Sequence, residues 1–295
     1  VLAYESVFKS GLFEGQTVIV TGGGSGIGRC TAHELAHLGA NVAIVGRTQE
    51  RLDRVTAEIR EDGGTVEPFT CDIRDEERVQ QVVTEVVERF GGIHGLVNNA
   101  GGQYKSPLED ISTKGFEAVV RNNLTGGFIF MREVFNGYMK EHGGSIVNII
   151  ADIWHGWPGF AHSRAARGGM LTLSESAAGE WAEYGVRVNA LAPGSIASSG
   201  LDTYPEHQRS YIRNSVVPRQ PLRRFGSESE VSAGIVFLLS PAAAFVTGTC
   251  LRIDGAAPNG RRWTLNGADN NAVYNGFHRA QRPKILEGSG LTADW

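Results

Sequence analysis

From Gln16 onward the chain alternates two hydrophobic rhythms. A β-branched run over Gln16–Thr21 is followed by glycines and then by Arg29–Leu38, where apolar side chains recur at helical spacing. This pattern predicts strand, turn, helix. The alternation continues with strands over Asn41–Gly46, Thr65–Thr70 and Ile93–Asn98 and helices over Gln49–Glu61 and Asp75–Phe90. Such repetition predicts a parallel sheet with right-handed crossovers. Further on, Ser112–Lys140 reads as a long helix interrupted near Gly126-Gly127, Ser145–Ile150 as a buried strand, and Ser163–Tyr184 as a helix stopped by Gly185. Val186–Leu191 reads as a sixth strand, Glu228–Leu239 as a last helix and Cys250–Ile253 as a seventh strand.

Two segments fall outside the rhythm. Ser195–Pro221 is polar, proline-bearing and too long for a bare connection, so it reads as a mobile substrate lid. Pro258–Trp295 follows the last strand without clear periodicity and reads as a surface or subunit-bridging extension. The expected organisation is one α/β domain over residues 1–257, a doubly wound parallel sheet of about seven strands, plus the C-terminal extension 258–295.

Composition narrows the class. At 295 residues with 41% hydrophobic and 20% charged side chains, the chain has the profile of a globular protein. A formal net charge of -4 supplies no basic footprint for nucleic acid or an anionic membrane, so any anionic ligand must be held locally. Cys30, Cys71 and Cys250 are isolated thiols without metal-ligand spacing, which argues against a zinc site or a disulfide framework and for a reducing compartment. The first residues lack a basic and then apolar leader, no run of eighteen apolar residues occurs, and Thr-Ala-Asp-Trp at the end is not a peroxisomal address. A soluble cytoplasmic protein is expected.

The strongest chemical signal lies between the first strand and first helix. Thr21-Gly22-Gly23-Gly24-Ser25-Gly26-Ile27-Gly28 stands where a dinucleotide diphosphate needs close backbone approach and the positive end of a helix. Gly22 permits the turn, Gly26 opens the amides around Ser25 and Ile27 to phosphate, and Gly28 lets helix and strand pack closely. At the end of the second strand stands Arg47 rather than a carboxylate. An arginine there can pair with a 2'-phosphate, so NADP(H) is preferred, with NAD(H) as the alternative; a solvated surface arginine is the plainer reading.

The loop, Asn98-Asn99-Ala100-Gly101, Asn123 and Pro193-Gly194 together resemble the short-chain dehydrogenase/reductase superfamily over roughly Gly11–Gly255. The resemblance implies a Rossmann-type fold and a homodimer or homotetramer. It also implies that Asp72 and Ile73 line the adenine, that Asn99, Ala100 and Gly101 pass beneath the cofactor, and that Pro193, Gly194 and Ile196 hold the nicotinamide end. The chain departs from the family at its proton donor. Where the family carries Tyr-x-x-x-Lys, Ser163 and Arg167 stand, and the earlier serine position falls on Ile150. Stretches including Asn98–Gln103, His142–Ile150 and His162 to Arg167 resemble peroxisomal trans-2-enoyl-CoA reductase and its dienoyl-CoA reductase relatives, which also lack that pair. Related bacterial proteins are assigned to terpenoid alcohol oxidation, such as citronellol dehydrogenase.

Several side chains could fill the gap. Arg167 either binds the nicotinamide ribose while keeping a positive charge near the reacting carbonyl, or forms a plain salt bridge. Ser163 is an oxyanion donor or a helix N-cap. Asn123 is implied by the resemblance to hold a water through its backbone carbonyl. Tyr104, after the fourth strand, is a substitute acid or a pocket wall. Asp152, His155 and His162 could each donate a proton if their surroundings shift their pKa. Trp154, Trp157 and Phe160 offer apolar surface for an acyl or terpenoid chain.

Loss of a positioned acid typically slows ketone reduction by about 10²–10⁴. Reduction of a C=C bond conjugated to a thioester is less demanding, because charge develops on the thioester oxygen and hydrogen-bond donors can stabilise it. The expected activity is therefore NADPH-dependent reduction of an enoyl-CoA-type small-molecule substrate. An alcohol or carbonyl dehydrogenase for a terpenoid or steroid is the alternative. A catalytically inactive NADP(H)-binding regulatory protein is the alternative of another class.

Overall fold

The computed structural model describes residues 3–154, 156–260 and 272–287. Seven strands pair in one sheet, all parallel: β1 (Thr17–Thr21), β2 (Asn41–Gly46), β3 (Thr65–Thr70), β4 (Gly95–Asn98), β5 (Gly144–Ile149), β6 (Val186–Pro193) and β7 (Cys250–Ile253). Their order is β3-β2-β1-β4-β5-β6-β7, so the winding reverses between β1 and β4. A ligand crevice forms outside the carboxyl ends of the strands at such a reversal. Pro68 lies within β3, which is tolerated because β3 is a sheet edge and one side of its ladder is unneeded.

Alternate strand residues feed two cores. Val18, Val20, Val42 and Ile44 pack with Leu35 of α1 (Gly26–His37), Leu52 and Ile59 of α2 (Gln49–Glu61) and Ile235 of α9 (Glu228–Leu239). Ile19, Ala43, Val45 and Leu96 point the other way, onto Val79 and Val86 of α3 (Glu76–Phe90), Phe130 of α5 (Gly126–Val134) and Met170 of α7 (Ala161–Trp181). The period-2 burial of both faces explains why the strands read as nearly continuous apolar runs.

The helical run over 113–142 corrects one expectation. The irregularity expected near Gly126-Gly127 is a π-helical turn over Arg121–Thr125 that ends just before Gly126, not a break in the helix; α4 (Thr113–Val120), α5 and α6 (Lys140–His142) are joined by this turn and a second over Phe135–Met139. The two glycines are there for packing. A Cβ at Gly126 would lie 2.7 Å from the Ile73 side chain, and one at Gly127 2.4 Å from Met170 Cε.

The residues after β7 fold back on the sheet domain. Beyond α10 (Ala257–Gly260), Tyr274 and Phe277 join Tyr4 and Cys30 in a small apolar cluster, and Phe277 stacks on Tyr4 at 5.7 Å. Arg279 donates two bonds to Asp62, at 2.6 and 2.9 Å, and His278 Nε2 lies 2.7 Å from the same carboxylate. His33, Asp62 and His278 bring ligand-type atoms within 4.8 Å of one another, but the Asp62 carboxylate is already engaged by the Arg279 guanidinium. Further on, Ile285 and Leu286 pack under Ala197, Val217 and Phe225, and the Lys284 amide donates to Asp202 at 2.8 Å. The tail therefore touches the segment 195–221, which carries α8 (Glu206–Tyr211). No helix among the described residues is long and apolar enough to cross a membrane.

Candidate active site

At the carboxyl end of β1 the backbone bends through Gly22 at φ +70° and Gly26 at φ +57°, the left-handed region that favours glycine. Ser25 occupies the N-cap of α1 with extended backbone, yet its side chain makes no capping bond. The first amides of α1 thus lack the usual side-chain acceptor and are free for an anion. The glycine-lined bend and the uncapped helix end fit a dinucleotide diphosphate. Asn99 fixes the loop from below: its Nδ2 donates to the Thr21 carbonyl at 3.0 Å, while the amides of Asn99 and Ala100 both donate to Thr21 Oγ1 at 3.0 Å. Gly28 is the contact point. A Cβ there would sit 2.4 Å from the Gly22 carbonyl oxygen and 2.5 Å from Asn99 Nδ2.

Arg47, just past β2, is exposed and has no hydrogen-bond or ion-pair partner among the described residues. Asp72 is clasped by Arg74, whose Nε donates at 2.9 Å, and this pair lowers its carboxyl to about 2. Ile73 is buried against Gly126. Beyond the far end of β6, the Gly194 amide donates to the Ile253 carbonyl at 2.9 Å, and Ile196 bridges Gly226.

Farther along the crevice Asn123 is buried within a π turn. Its amide clasps the loop after β4 in both directions: Nδ2 donates to the Gly102 carbonyl at 2.6 Å, and Oδ1 accepts from the Gly102 amide at 3.1 Å. Arg167 lies against Gly101, where a Cβ would stand 2.5 Å from the guanidinium. It donates to the Ile149 carbonyl but pairs with no carboxylate among the described residues, and its Nε is buried without a partner. Burial lowers this arginine to about 10, which leaves it charged at neutral pH. Among the described residues the plain salt bridge is thus not what this arginine makes.

Ser163 is fully buried in the first turn of α7, one turn ahead of Arg167. Phe160, not Ser163, takes the N-cap position, so the serine is free of capping. Its hydroxyl donates to Gln103 Oε1, and Gln103 Nε2 donates in turn to the hydroxyl of Tyr204 at 3.0 Å. Burial raises the Tyr204 phenol above its ordinary range. The Tyr204 ring also meets the edge of Phe160 at 6.3 Å, and Phe160 lies against Trp157 at 4.5 Å.

The other expected donors are placed differently. Tyr104 is 41% exposed, stands edge-on to His162 at 4.5 Å, and puts its hydroxyl where a Gly115 Cβ would be. His162 is buried, which lowers its pKa, so the ring is neutral at pH 7. Asp152 accepts from the Trp154 amide at 3.1 Å and so shapes its own loop. His155 lies outside the described residues.

A family model described as enoyl-(acyl carrier protein) reductase matches residues 22–256. The chain belongs to the short-chain dehydrogenase/reductase superfamily. A Bacillus subtilis protein named "Probable 2,4-dienoyl-CoA reductase [(2E)-enoyl-CoA-producing]" is 36% identical over 248 residues, covering 82% of this chain and 96% of its own. The solved structure of the citronellol catabolism dehydrogenase of Pseudomonas aeruginosa PAO1 is 57% identical, with a TM-score of 0.78 over 86% of this chain and 100% of that one. A Beutenbergia cavernae protein described as an NAD(P)-dependent gluconate 5-dehydrogenase, with NADP at low occupancy, is 32% identical, with a TM-score of 0.77 over 84% of this chain and 99% of that one. As a member of this superfamily the chain is an oxidoreductase using NAD(P)(H) on a small-molecule substrate.

Two functional features of this short-chain dehydrogenase/reductase escaped sequence reasoning. The Ser163–Gln103–Tyr204 chain joins three distant segments, and a tyrosine in a loop without periodicity gives no signal of where it lands. The second is Glu228, at the start of α9. A Cβ at Gly26 would lie 3.8 Å from its carboxylate and 3.5 Å from Ser199 Oγ, so both side chains border the phosphate loop. Burial raises Glu228 from 4.5 to about 7, opposed chiefly by the Arg29 charge. A raised carboxyl is neutral below its folded pKa and charged above it, so stability falls as pH rises from 4.5 through 7. The same charge repels a diphosphate. Dinucleotide affinity should therefore weaken several-fold between pH 6 and pH 8, and Glu228→Gln should flatten that dependence in calorimetric titrations. An unchanged slope in the variant would remove Glu228 from the account.

Proposed function

We propose that the chain is an NADP(H)-dependent reductase of the C=C bond of enoyl thioesters. The observation that carries this reading is the pair on α7. A buried serine and a part-buried arginine with no carboxylate partner among the described residues stand in place of the family's tyrosine and lysine. This pair is poorly equipped to protonate an alkoxide directly, because the Ser163 hydroxyl is committed to Gln103, while the Arg167 charge suits stabilisation of negative charge on a thioester oxygen.

When bound, the nicotinamide supplies two electrons and one hydrogen. The chain's own residues do the rest. The amides from Ser25 to Gly28 bind the diphosphate, with Gly22 shaping the bend. Asn99, Ala100 and Gly101 form the floor, Asp72 and Ile73 the adenine wall, and Pro193, Gly194 and Ile196 the nicotinamide wall. Asn123 fixes the loop on which Gly101 and Gln103 sit, and Arg167 holds a fixed positive charge beside Gly101. Residues 195–221 act as a lid whose inner face, with Trp157 and Phe160, excludes water around an apolar acyl chain. The enzyme works as a cytoplasmic homodimer or homotetramer, with one catalytic domain over residues 1–257 and the extension beyond it.

Likeness to a citronellol catabolism dehydrogenase at 57% identity supports a second reading, oxidation of a terpenoid alcohol on the same site. Spectrophotometry with a trans-2-enoyl-CoA and with citronellol separates the two. NADPH oxidation by the thioester with little alcohol turnover is expected, and the reverse preference overturns the first reading. Arg47→Glu should weaken NADPH binding about tenfold and leave NADH within a few-fold, because a charge-assisted bond to phosphate is lost and a repulsion gained. Equal losses for both dinucleotides would show that Arg47 does not select the 2'-phosphate.

A further inference from the structure

We propose that Tyr204, presented by the segment 195–221, is the proton donor of this enzyme, replacing the tyrosine that α7 lacks. The inference rests on the reductase reading above for its substrate, but on separate geometry for its residue. Ser163 occupies the position of the missing tyrosine, and its hydroxyl is spent on Gln103 Oε1. That commitment orients the Gln103 amide, so its NH2 group faces Tyr204 and donates to the phenol oxygen at 3.0 Å. A phenol oxygen that accepts keeps its own hydrogen available. Among the described residues nothing takes that hydrogen, so the Tyr204 O–H is left to donate.

Three further observations agree. The ring is lodged against Phe160, in the aromatic wall completed by Trp157. Burial keeps the phenol protonated at neutral pH. The segment bearing it is tied down on its outer side, by the Lys284 amide on Asp202 and by Ile285 and Leu286 beneath Ala197 and Val217. Tyr104, the tyrosine nearer in sequence to the cofactor floor, has its hydroxyl over Gly115 and makes no such chain.

Two electrons and one hydrogen taken from the reduced nicotinamide dinucleotide form the new bond at the β-carbon, and the C=C π pair moves onto the α-carbon and thioester oxygen. The Tyr204 O–H bond then breaks, its proton forms the α-carbon C–H bond, and the O–H pair stays on the phenolate. Water returns the proton.

Tyr204→Phe should lower kcat about 100-fold with the KM for the thioester within threefold. Tyr184→Phe, an exposed tyrosine just beyond α7 and outside the segment 195–221, should change neither. A second readout needs no turnover. In protein labelled with 13C at the tyrosine ring, the resonance lost in Tyr204→Phe should titrate above the ordinary phenol range. It should move when Gln103→Leu removes its donor, and move again when a saturated acyl-CoA and oxidised dinucleotide are added. Retention of more than half of wild-type kcat in a folded, NADPH-binding Tyr204→Phe, or a resonance indifferent to the acyl-CoA, overturns the proposal. If the wild type instead prefers an aldehyde or alcohol, the thioester reading fails by itself; the same 100-fold loss on that substrate would still support Tyr204, and full retention would overturn it.

Discussion

Gly28→Val should abolish the heat of NADPH binding, a loss of more than about 100-fold, or about 2.7 kcal/mol. The reason is crowding at one atom. A Cβ at residue 28 would stand 2.4 Å from the Gly22 carbonyl oxygen, 2.9 Å from the Gly22 carbonyl carbon and 2.5 Å from Asn99 Nδ2. None of these is the free end of a flexible side chain. Two are backbone atoms of the phosphate bend, and the third is held by its own bond to the Thr21 carbonyl. The fold can relieve the contact only by moving the bend away from α1, which withdraws the amides that a diphosphate requires. Folding should survive with a modest loss, because the strands beneath are packed independently of the bend. Gly179→Ala is the matched control: it lies in α7, has nothing within 4 Å of its Cβ position, and should keep full binding while gaining about 0.5–1 kcal/mol of stability. If Gly28→Val binds NADPH within tenfold of wild type, the bend is not the diphosphate site.

The same residue shows why this part of the molecule was legible in the amino-acid order. Strand rhythm, glycine spacing and helix start are local properties, and each strand was found within two residues of its place because both faces are buried and the period is unambiguous. The π turns on either side of Gly126–Val134 were not legible, nor was the reason for the two glycines, which lies in close approach to Ile73 and Met170, residues far away in sequence. The candidate site divides along the same line. Asn99, Arg167 and Ser163 could be located from the family resemblance, but whether Ser163 capped a helix and whether Arg167 met a carboxylate depended on neighbours from other segments. Tyr204 and Glu228 were invisible for that reason: the first reaches Gln103 across 101 positions, and the second borders Gly26 only because α1 and α9 pack together. The tail was the least legible, because its aromatic and ionic anchors follow no period.

Glu34→Ala should cost roughly 3–5 kcal/mol of unfolding free energy and loosen both ends of the chain. Glu34 is fully buried in α1, and four hydroxyls converge on its carboxylate. Ser6 donates at 2.8 Å, Tyr4 at 3.3 Å and Tyr274 at 3.4 Å, while Ser232 of α9 makes the fourth bond. One side chain thus fastens the N-terminal arm, the last helix of the sheet domain and the start of the tail. Truncation leaves the Ser6 and Ser232 hydroxyls without their acceptor, while Tyr274 keeps the Glu5 carbonyl and Tyr4 keeps Cys30, and each buried unsatisfied group costs about 1–3 kcal/mol. Burial raises the Glu34 pKa, with the Ser232 bond the largest opposing influence. The sign follows: stability is fully present below the ordinary carboxylate value and declines as pH rises through the raised folded one. Glu34→Gln should remove that decline while costing less than alanine, since the amide retains one acceptor. Urea midpoints at pH 5 and pH 8 for the three proteins test this, and identical pH slopes in wild type and Glu34→Gln would refute it. The consequence reaches the active site through the chain itself. Release of Tyr274 frees the residues leading to Ile285 and Leu286, on which the segment carrying Tyr204 rests. Limited proteolysis of Glu34→Ala should therefore cut within residues 195–221 faster than in wild type. Protection equal to wild type would show that tail and segment are mechanically separate.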